Sequence, residues 1–251
     1  MKRTIAILEA GPIAADLAAR YGSYGDCFER FLGPRDTYVS FPVYRLYRGE
    51  LPAGPEAADA FLITGSRYSA TDDLPWIAPA MGFARALGAA RRPLVGVCFG
   101  HQLIAAAFGG RVAKAAQGWG IGVHRYRVAA ARPWMDPAMT EFALLASHQD
   151  QVTAAPPGAE VLAGNAFCPI GMLQIGASVM TLQSHPELGA DFAAEIYRMR
   201  RQVIGAEAVD RALAGLDDAR HEPEIRDWFL RFLIGRAGPG GRPGAAPAPH
   251  C

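Results

Sequence analysis

The sequence has almost no excess charge of either sign and no long apolar run. Its 25 lysines and arginines nearly balance its 24 aspartates and glutamates, so the chain as a whole does not attract nucleic acid or an anionic membrane. The apolar runs stop well short of the roughly 18 residues that a membrane span needs. Glu9 interrupts the amino-terminal region where a signal peptide would stay apolar. We therefore expect a cytoplasmic protein that binds neither nucleic acid nor membranes.

Cysteine is also scarce, and its spacing excludes two kinds of structural site. The four cysteines, Cys27, Cys98, Cys168 and Cys251, lie far apart and form no CxxC pair. This spacing is typical neither of a disulfide framework nor of a zinc site, so we expect reduced thiols. No cluster of histidines, cysteines and carboxylates has the spacing of metal ligands. We therefore predict no metal and no other cofactor, ATP included.

The composition is that of one globular domain with a terminal extension. Apolar residues make up 51% and charged residues 20% of the 251 positions, which is enough apolar material for a large core. No linker divides residues 1–236, which we assign to one domain. Residues 237–251 are almost entirely glycine, alanine and proline and cannot bury enough surface to offset their ordering entropy. We predict that this segment is a disordered tail.

Strand and helix patterns alternate in the first half of the chain. Short apolar runs at 4–8, 60–64 and 93–98 are typical of buried parallel strands. Between the last two runs, residues 76–92 repeat apolar side chains every three or four positions and end in arginine, which predicts a helix. This alternation predicts a doubly wound α/β sheet covered by helices.

The pattern changes in the second half of the chain. Residues 119–130 alternate apolar and polar side chains, and residues 170–183 contain two apolar runs around a Gly-Ala-Ser turn. These runs predict strands that make the sheet mixed rather than wholly parallel. Residues 191–205 and 222–236 each carry an apolar stripe, which predicts two helices that pack on the sheet.

A single cysteine stands where the third apolar run meets a helical pattern. Residues 96–100, GVCFG, have the G-x-nucleophile-x-G form, in which glycines allow a strand to turn sharply into a helix. The turn exposes Cys98 at the start of a helix predicted over 101–108, where the helix dipole and free N–H groups favour a thiolate. The N–H of Phe99 and the loop at 65–66 are candidate oxyanion donors. The alternative is that Cys98 is a small buried hydrophobic residue.

A candidate base for this cysteine ends another predicted strand. His185 precedes Pro186, which favours an extended conformation, and Glu187 lies two residues after the histidine. Because alternate residues of an extended chain share a face, Glu187 can orient the imidazole of His185. His148 is the alternative base, and it lies in the polar segment 147–152, which we predict to be a loop at a strand end. The other histidines have no comparable partner in the sequence.

Four motifs together resemble a known enzyme family. They are GVCFGHQ, LITGSR, SHQDQV and LQSHPE, which begin at residues 96, 62, 147 and 182. By these motifs the chain is similar to the class I, or triad-type, glutamine amidotransferases, among them the glutaminase domain of GMP synthase, and to stand-alone γ-glutamyl peptidases. This resemblance implies a flavodoxin-like, three-layer fold with a mostly parallel or mixed central sheet between helices. It also implies a catalytic triad of Cys98, His185 and Glu187.

The resemblance implies further roles for residues around the triad. The N–H groups of Ser66 and Phe99 would form the oxyanion hole, although this chain has TGSRY at 64–68 where many members have a double-glycine-proline-glycine loop. The implied substrate-binding residues are Gly65, Gln102, Ser147, His148 and Gln149. Of these, Gln102 would touch the substrate amino acid, and the backbone of 147–149 would meet its α-carboxylate.

The sequence leaves three functions open, and in two of them the protein acts on a small molecule. The first is hydrolysis of the γ-amide of glutamine through a cysteinyl thioester, with ammonia passed to a partner synthetase. The chain has no SGGxDS-like pyrophosphate loop of its own. The second is independent hydrolysis of γ-glutamyl amides or peptides, which a roomy groove beyond the γ-carbonyl would favour. The third is a non-catalytic binding or regulatory module, which the complete set of triad residues disfavours.

One aromatic segment bears on the choice between the first two functions. Residues 38–49, YVSFPVYRLYRG, are rich enough in aromatic side chains to form a docking face for a separate synthetase. The alternative is that they form a strand and the loop that covers it.

Overall fold

The computed structural model describes residues 2–33 and 38–235, which contain twelve strands and eight α-helices. The strands are β1 (Arg3–Glu9), β2 (Val39–Ser40), β3 (Val43–Arg45), β4 (Ala60–Ile63), β5 (Leu94–Val97), β6 (Arg111–Lys114), β7 (Gly120–Val128), β8 (Glu141–His148), β9 (Asp150–Ala154), β10 (Ala159–Gly164), β11 (Met172–Ile175) and β12 (Val179–Leu182). The helices are α1 (Ala15–Tyr21), α2 (Tyr24–Leu32), α3 (Ile77–Ala89), α4 (Phe99–Ala107), α5 (Ala190–Met199), α6 (Arg201–Ile204), α7 (Ala206–Ala214) and α8 (Glu222–Ile234).

The carboxyl-terminal boundary of the predicted domain is not covered by these ranges. The tail predicted at 237–251 lies outside the described residues, and the division of the chain at 236 stays a prediction. Among the helices of the described ranges, none is long and apolar enough to cross a membrane.

One sheet of ten strands forms the centre of the described part of the chain. Its strand order is β2-β1-β4-β5-β12-β11-β10-β7-β8, and β3 pairs with β1 further along that strand. Strands β1, β4, β5 and β12 run parallel, whereas each pair from β12 through β11, β10 and β7 to β8 is antiparallel. Strands β6 and β9 form a separate two-stranded ribbon. The predicted mixed sheet is confirmed, and its parallel half contains the three apolar runs predicted as strands.

Helices cover both faces of the parallel half of the sheet. Ile5 and Ile7 of β1 pack in a core cluster with Phe28 of α2 and Phe229 of α8. Leu8, on the opposite face of β1, packs in the cluster formed with α3 and α4, because successive side chains of a strand point to opposite faces. Strands β4, β5 and β12 are buried at every position, as expected for strands covered on two sides. The predicted flavodoxin-like, three-layer fold is confirmed.

The ends of three predicted helices differ from the structure. The helix predicted over 101–108 begins two residues earlier, at Phe99, directly after the cysteine. The helix predicted over 191–205 is interrupted, because Arg200 leaves the helical conformation with φ −96° and ψ 7°. The helix predicted to 236 ends at Ile234, because Gly235 adopts a left-handed conformation with φ 66°, which is a common way to end a helix.

The polar segment 147–152 is strand rather than loop. Strand β8 continues to His148, which pairs with Gly120 of β7, and β9 begins at Asp150, which pairs with Lys114 of β6. Only Gln149 separates the two strands. The prediction of a loop here was wrong, because both sides of the segment find strand partners that lie far away in the sequence. The aromatic segment 38–49 contributes β2 and β3, both of which pair with β1.

Candidate active site

The cysteine-containing turn has the geometry that its glycines predict. Strand β5 ends at Val97 and helix α4 begins at Phe99, so the whole turn is made at Cys98. Cys98 has φ 51°, a conformation that non-glycine residues rarely adopt and that marks a constrained position. A Cβ at residue 100 would lie 2.3 Å from the carbonyl oxygen of Ile63, so only glycine allows the turn to pack on β4.

His185 and Glu187 meet behind this turn as the sequence predicts. The Nδ1 of His185 lies 2.7 Å from Oε1 of Glu187, and the two side chains are 5% and 0% exposed. The backbone N–H of His185 donates to the carbonyl of Leu145 at 2.8 Å, which fixes the segment against β8. Because Nδ1 faces the carboxylate, Nε2 is left for Cys98, whose negative charge also raises the pKa of the ring.

The two histidines considered as bases have pKa values shifted in opposite directions. Burial lowers the pKa of His185, but the charges and hydrogen bonds of Glu187 and Cys98 raise it more, to a final value above the ordinary one. Burial, with a smaller contribution from His124, lowers the pKa of His148 to about 3. His148 therefore stays neutral near pH 7 and is a weak proton acceptor. The environment favours His185 as the base.

The loop after β4 lies directly against the side chains of His185 and Cys98. A Cβ at Gly65 would lie 2.9 Å from Cε1 of His185 and 3.7 Å from Cβ of Cys98. The hydroxyl of Ser66 donates to the carbonyl of Ala10 at 2.9 Å and so anchors the loop to the end of β1. The loop is thus held by a hydrogen bond from its own side chain.

An aromatic contact chain joins this loop to the cysteine turn. The rings of Tyr68 and Trp76 have centroids 5.9 Å apart, and those of Trp76 and Phe99 are 5.4 Å apart. Such contacts stabilise a fixed arrangement of rings beyond simple burial. These ring contacts therefore connect the two segments that carry the predicted oxyanion donors, Ser66 and Phe99.

A cavity of about 600 Å³ opens beside Cys98. The predicted residues that line it are Ser66, Phe99, Gln102, Ser147, His148 and Gln149. Gln102 is held in place because its Nε2 donates to the carbonyl of Asp150 at 2.8 Å and to Oε1 of Gln183 at 3.1 Å. The structure thus brings four of the five predicted substrate-binding residues to one cavity with Cys98, whereas Gly65, His185 and Glu187 are not among the residues that line it. Within the described ranges, no group of three or more histidines, cysteines and carboxylates is placed so that it could hold a metal ion.

Several residues of the cavity wall were not predicted from the sequence. The apolar part of the outer wall is formed by Ile13, Leu17, Phe192, Ile196, Met199 and Val203. Met199 is 54% exposed and Val203 is 73% exposed, which is unusual for large apolar side chains. Tyr24, Trp119 and Arg200 add polar groups to the same wall. The apolar stripe of residues 191–205 signalled packing on the sheet, but it gave no indication that part of this stripe faces a cavity.

The fold and the sequence around this cavity are shared with known proteins. A family model described as glutamine amidotransferase class-I matches residues 52–198. The chain is 30% identical to γ-glutamyl peptidase 4 of Arabidopsis thaliana over 202 residues, which cover 78% of this chain and 75% of that protein. It is 34% identical over 108 residues to a glutamine-hydrolysing GMP synthase subunit of Archaeoglobus fulgidus, covering 42% and 58% of the two chains.

A solved structure shows the same fold at low sequence identity. A glutamine amidotransferase from Thermotoga maritima aligns with a TM-score of 0.72 at 16% identity, over 93% of this chain and 99% of that chain. At this identity the likeness extends to the fold alone.

Proposed function

Because the chain belongs to the class-I glutamine amidotransferase family, we propose that it hydrolyses γ-glutamyl amides or peptides through a thioester on Cys98. The observation that carries the proposal is the cavity of about 600 Å³ beside this cysteine. A cavity of this size accommodates a ligand well beyond one small amino acid. Its apolar outer wall provides a surface for the group that leaves the γ-carbonyl carbon. The products are glutamate and the released amine.

Acylation begins with the thiolate of Cys98 beside a protonated His185. The sulfur forms a bond to the γ-carbonyl carbon, and the N–H groups of Ser66 and Phe99 hydrogen-bond the oxyanion that results. When this tetrahedral intermediate collapses, the C–N bond breaks and the imidazolium gives its proton to the departing nitrogen. Glu187 keeps the ring oriented and stabilises its positive charge.

Deacylation uses the same groups in the reverse sense. Neutral His185 takes a proton from a water molecule, whose oxygen attacks the thioester carbon. The C–S bond then breaks, glutamate leaves, and the sulfur departs as a thiolate beside the reprotonated imidazole. The same oxyanion donors serve both steps, since each step passes through a tetrahedral intermediate at the same carbon.

Hydrolysis of glutamine for a separate synthetase is the second candidate. The 34% identity to a glutamine-hydrolysing GMP synthase subunit over 108 residues favours it. Ammonia is then the leaving group, and a partner synthetase consumes it. The two candidates differ in the leaving group that the cavity receives and share the same reacting residues.

A release assay over matched substrates separates these candidates. We expect γ-glutamyl-leucine and γ-glutamyl-phenylalanine to be hydrolysed with a kcat/KM about tenfold above that of glutamine. The reason is that contact with the apolar wall is worth at least the burial of about two methylene groups. Glutamate and ammonia are measured together, because only glutamine yields ammonia directly. Fast ammonia release from glutamine with slow cleavage of both dipeptides would replace the first candidate by the second.

Removal of the sulfur tests the chemistry common to both candidates. Cys98→Ala cannot form a thioester, so hydrolysis of every substrate falls to the background rate. Cys168→Ala is the matched control, because Cys168 is also a buried thiol but does not line the cavity. Unchanged hydrolysis in Cys98→Ala would overturn the proposed enzyme function.

A further inference from the structure

Arg200 is a cation on the cavity wall without a carboxylate partner in the described ranges. Its neighbours in the sequence differ in this respect: Arg198 forms an ion pair with Glu195, and Arg201 forms one with Asp210. Both of these pairs lie away from the cavity, whereas Arg200 lines it. Of these three arginines, Arg200 lines the cavity. It is also the one that has no carboxylate partner in the described part of the chain.

Two contacts hold the Arg200 side chain in position. Its guanidinium lies over the ring of Trp119, 5.6 Å from the ring centroid. Its Nη1 donates to the hydroxyl of Ser147 at 3.4 Å. Stacking and hydrogen bonding restrict a side chain that otherwise loses considerable rotamer freedom on binding a ligand. Arg200 is therefore arranged in advance to bind an anion.

The position of Arg200 relates it to the reacting centre. Tyr24 lines the same cavity, and its pKa responds to Arg200 as well as to Cys98. Burial raises the pKa of Tyr24 most, Arg200 lowers it, and Cys98 raises it further. Tyr24, Cys98 and Arg200 all line the one cavity, and the charges of Arg200 and Cys98 both act on the Tyr24 hydroxyl.

The backbone near Ser147 connects the guanidinium of Arg200 with the segment that carries His185. Leu145 forms a β-bridge with His185, and Ser147 lies two residues further along β8, a step of about 7 Å. The α-carboxyl carbon of a glutamyl group is separated from its γ-carbonyl carbon by four bonds, which span about 5 Å. Cys98, Ser147 and Arg200 line one cavity, so a glutamyl group that reacts at Cys98 shares that cavity with the Ser147 and Arg200 pair.

We propose that Arg200, held by Trp119 and Ser147, binds the α-carboxylate of the γ-glutamyl substrate and makes the protein prefer substrates that carry it. This inference rests on the proposed function, since it names the part of a γ-glutamyl compound that the wall recognises. Arg200 acts as a substrate-binding residue and takes no part in bond breaking. A guanidinium that is already positioned forms strong charge-assisted hydrogen bonds with a carboxylate.

Paired substrates test this inference. One is γ-glutamyl-p-nitroanilide with its free α-carboxylate, and the other is the same compound with an α-carboxamide. We expect the wild-type protein to prefer the carboxylate by about 30-fold or more in kcat/KM, and Arg200→Gln to lose most of that preference through KM. Arg200→Lys restores part of it. Arg198→Gln, a neighbouring arginine outside the cavity, keeps the full preference.

Two results of this assay would overturn the inference. One is an equal loss of activity by Arg200→Gln on both substrates, which would indicate a merely structural role. The other comes from comparing γ-glutamyl-glycine with γ-glutamyl-glycinamide, which vary only the carboxylate of the leaving group. A change in that second ratio alone would show that Arg200 binds the leaving group instead.

A binding measurement separates failure of this inference from failure of the proposed function. Calorimetry with the Cys98→Ala variant compares glutamine with its α-amide, and no turnover is required. A preference for glutamine of about 30-fold that disappears in Cys98→Ala/Arg200→Gln supports the inference even if no γ-glutamyl compound is hydrolysed. Equal binding of the two ligands overturns it even if hydrolysis is fast.

Discussion

His185 and His148 occupy neighbouring backbone segments, yet their surroundings give them opposite proton affinities. The two segments are joined through the bridge between Leu145 and His185. His185 faces a buried carboxylate at 2.7 Å, and its pKa is raised despite its burial. The Nδ1 of His148 lies 3.0 Å from the carbonyl oxygen of Asp150, and burial lowers the pKa of this ring to about 3.

The comparison teaches that the position of a histidine at a strand end does not by itself make it a base. Both residues line or border the same site, and both follow apolar strands in the sequence. The difference lies in Glu187, whose carboxylate stabilises the charged form of the His185 ring, whereas burial and neighbouring histidines disfavour the charged form of the His148 ring. The buried carboxylate beside His185 thus favours that ring as a proton acceptor, whereas the His148 ring remains a neutral polar group on the cavity wall.

The largest expected effect comes from removing each ring in turn. His185→Gln should lower kcat by about 10⁴-fold, because the thiol of Cys98 loses its proton acceptor and the departing amine loses its proton donor. His148→Gln should lower kcat/KM less than about tenfold, mainly through KM, since a neutral wall residue contributes binding only. Steady-state kinetics on a γ-glutamyl substrate measures both. A fatal His148→Gln beside a mild His185→Gln would reverse the assignment of the base.

An intermediate effect is expected when the carboxylate beside His185 loses its charge. Glu187→Gln keeps a similar shape but no longer stabilises the imidazolium, so kcat should fall by about 10²-fold, less than for loss of the ring itself. Glu195→Gln, which removes a partly exposed carboxylate of α5, is the matched control and should leave kcat unchanged. If Glu187→Gln were as active as the wild-type protein, the comparison of the two histidines would lose its physical basis.

The smallest expected effect is on stability as a function of pH. The folded state holds His148 neutral, so its contribution to the free energy of unfolding is present above about pH 6.5 and is lost as the pH falls toward 3. Between pH 7 and pH 5 this loss amounts to about 2 kcal/mol. His148→Gln should therefore show a loss smaller by about 2 kcal/mol over this interval, measured by urea unfolding at both pH values.

The opposite shift of His185 does not interfere in this interval. Its raised pKa gives a contribution that is present below about pH 6.5 and lost as the pH rises through its folded value. Between pH 5 and pH 7 that contribution falls by about 1 kcal/mol in wild type and in His148→Gln alike, so it cancels when the two proteins are compared. An identical pH dependence in wild type and His148→Gln would contradict the neutral state assigned to His148.

Much of the fold and of the site could be predicted because the signals are local. The apolar runs that became β1, β4 and β5 are bounded by turns, and each is buried almost throughout. The glycines at 96 and 100 indicated the sharp turn at Cys98 before any contact was known. Pro186 and the two-residue spacing between His185 and Glu187 indicated that these two side chains meet.

The remaining features depend on contacts between distant parts of the chain. Trp119 and Arg200 stack on each other although they belong to a strand start and a helix end far apart in the sequence. Within its own segment, Arg200 looks like one more charged residue on a solvent-facing helix. The same applies to the ribbon of β6 and β9, whose pairing turned a predicted loop into a strand. Such pairings leave no periodic signal.

The exposed apolar rim at Met199 and Val203 has a consequence for how this protein can change over evolutionary time. Because these side chains already face solvent, substitutions there alter little of the core packing and are expected to cost little folding stability. The glycines at 96 and 100 have no such freedom, since any added side chain collides with backbone. Under the proposed function, selectivity for leaving groups is therefore free to drift while the turn at Cys98 stays fixed, and lineages that share this turn are able to diverge in the compounds they cleave.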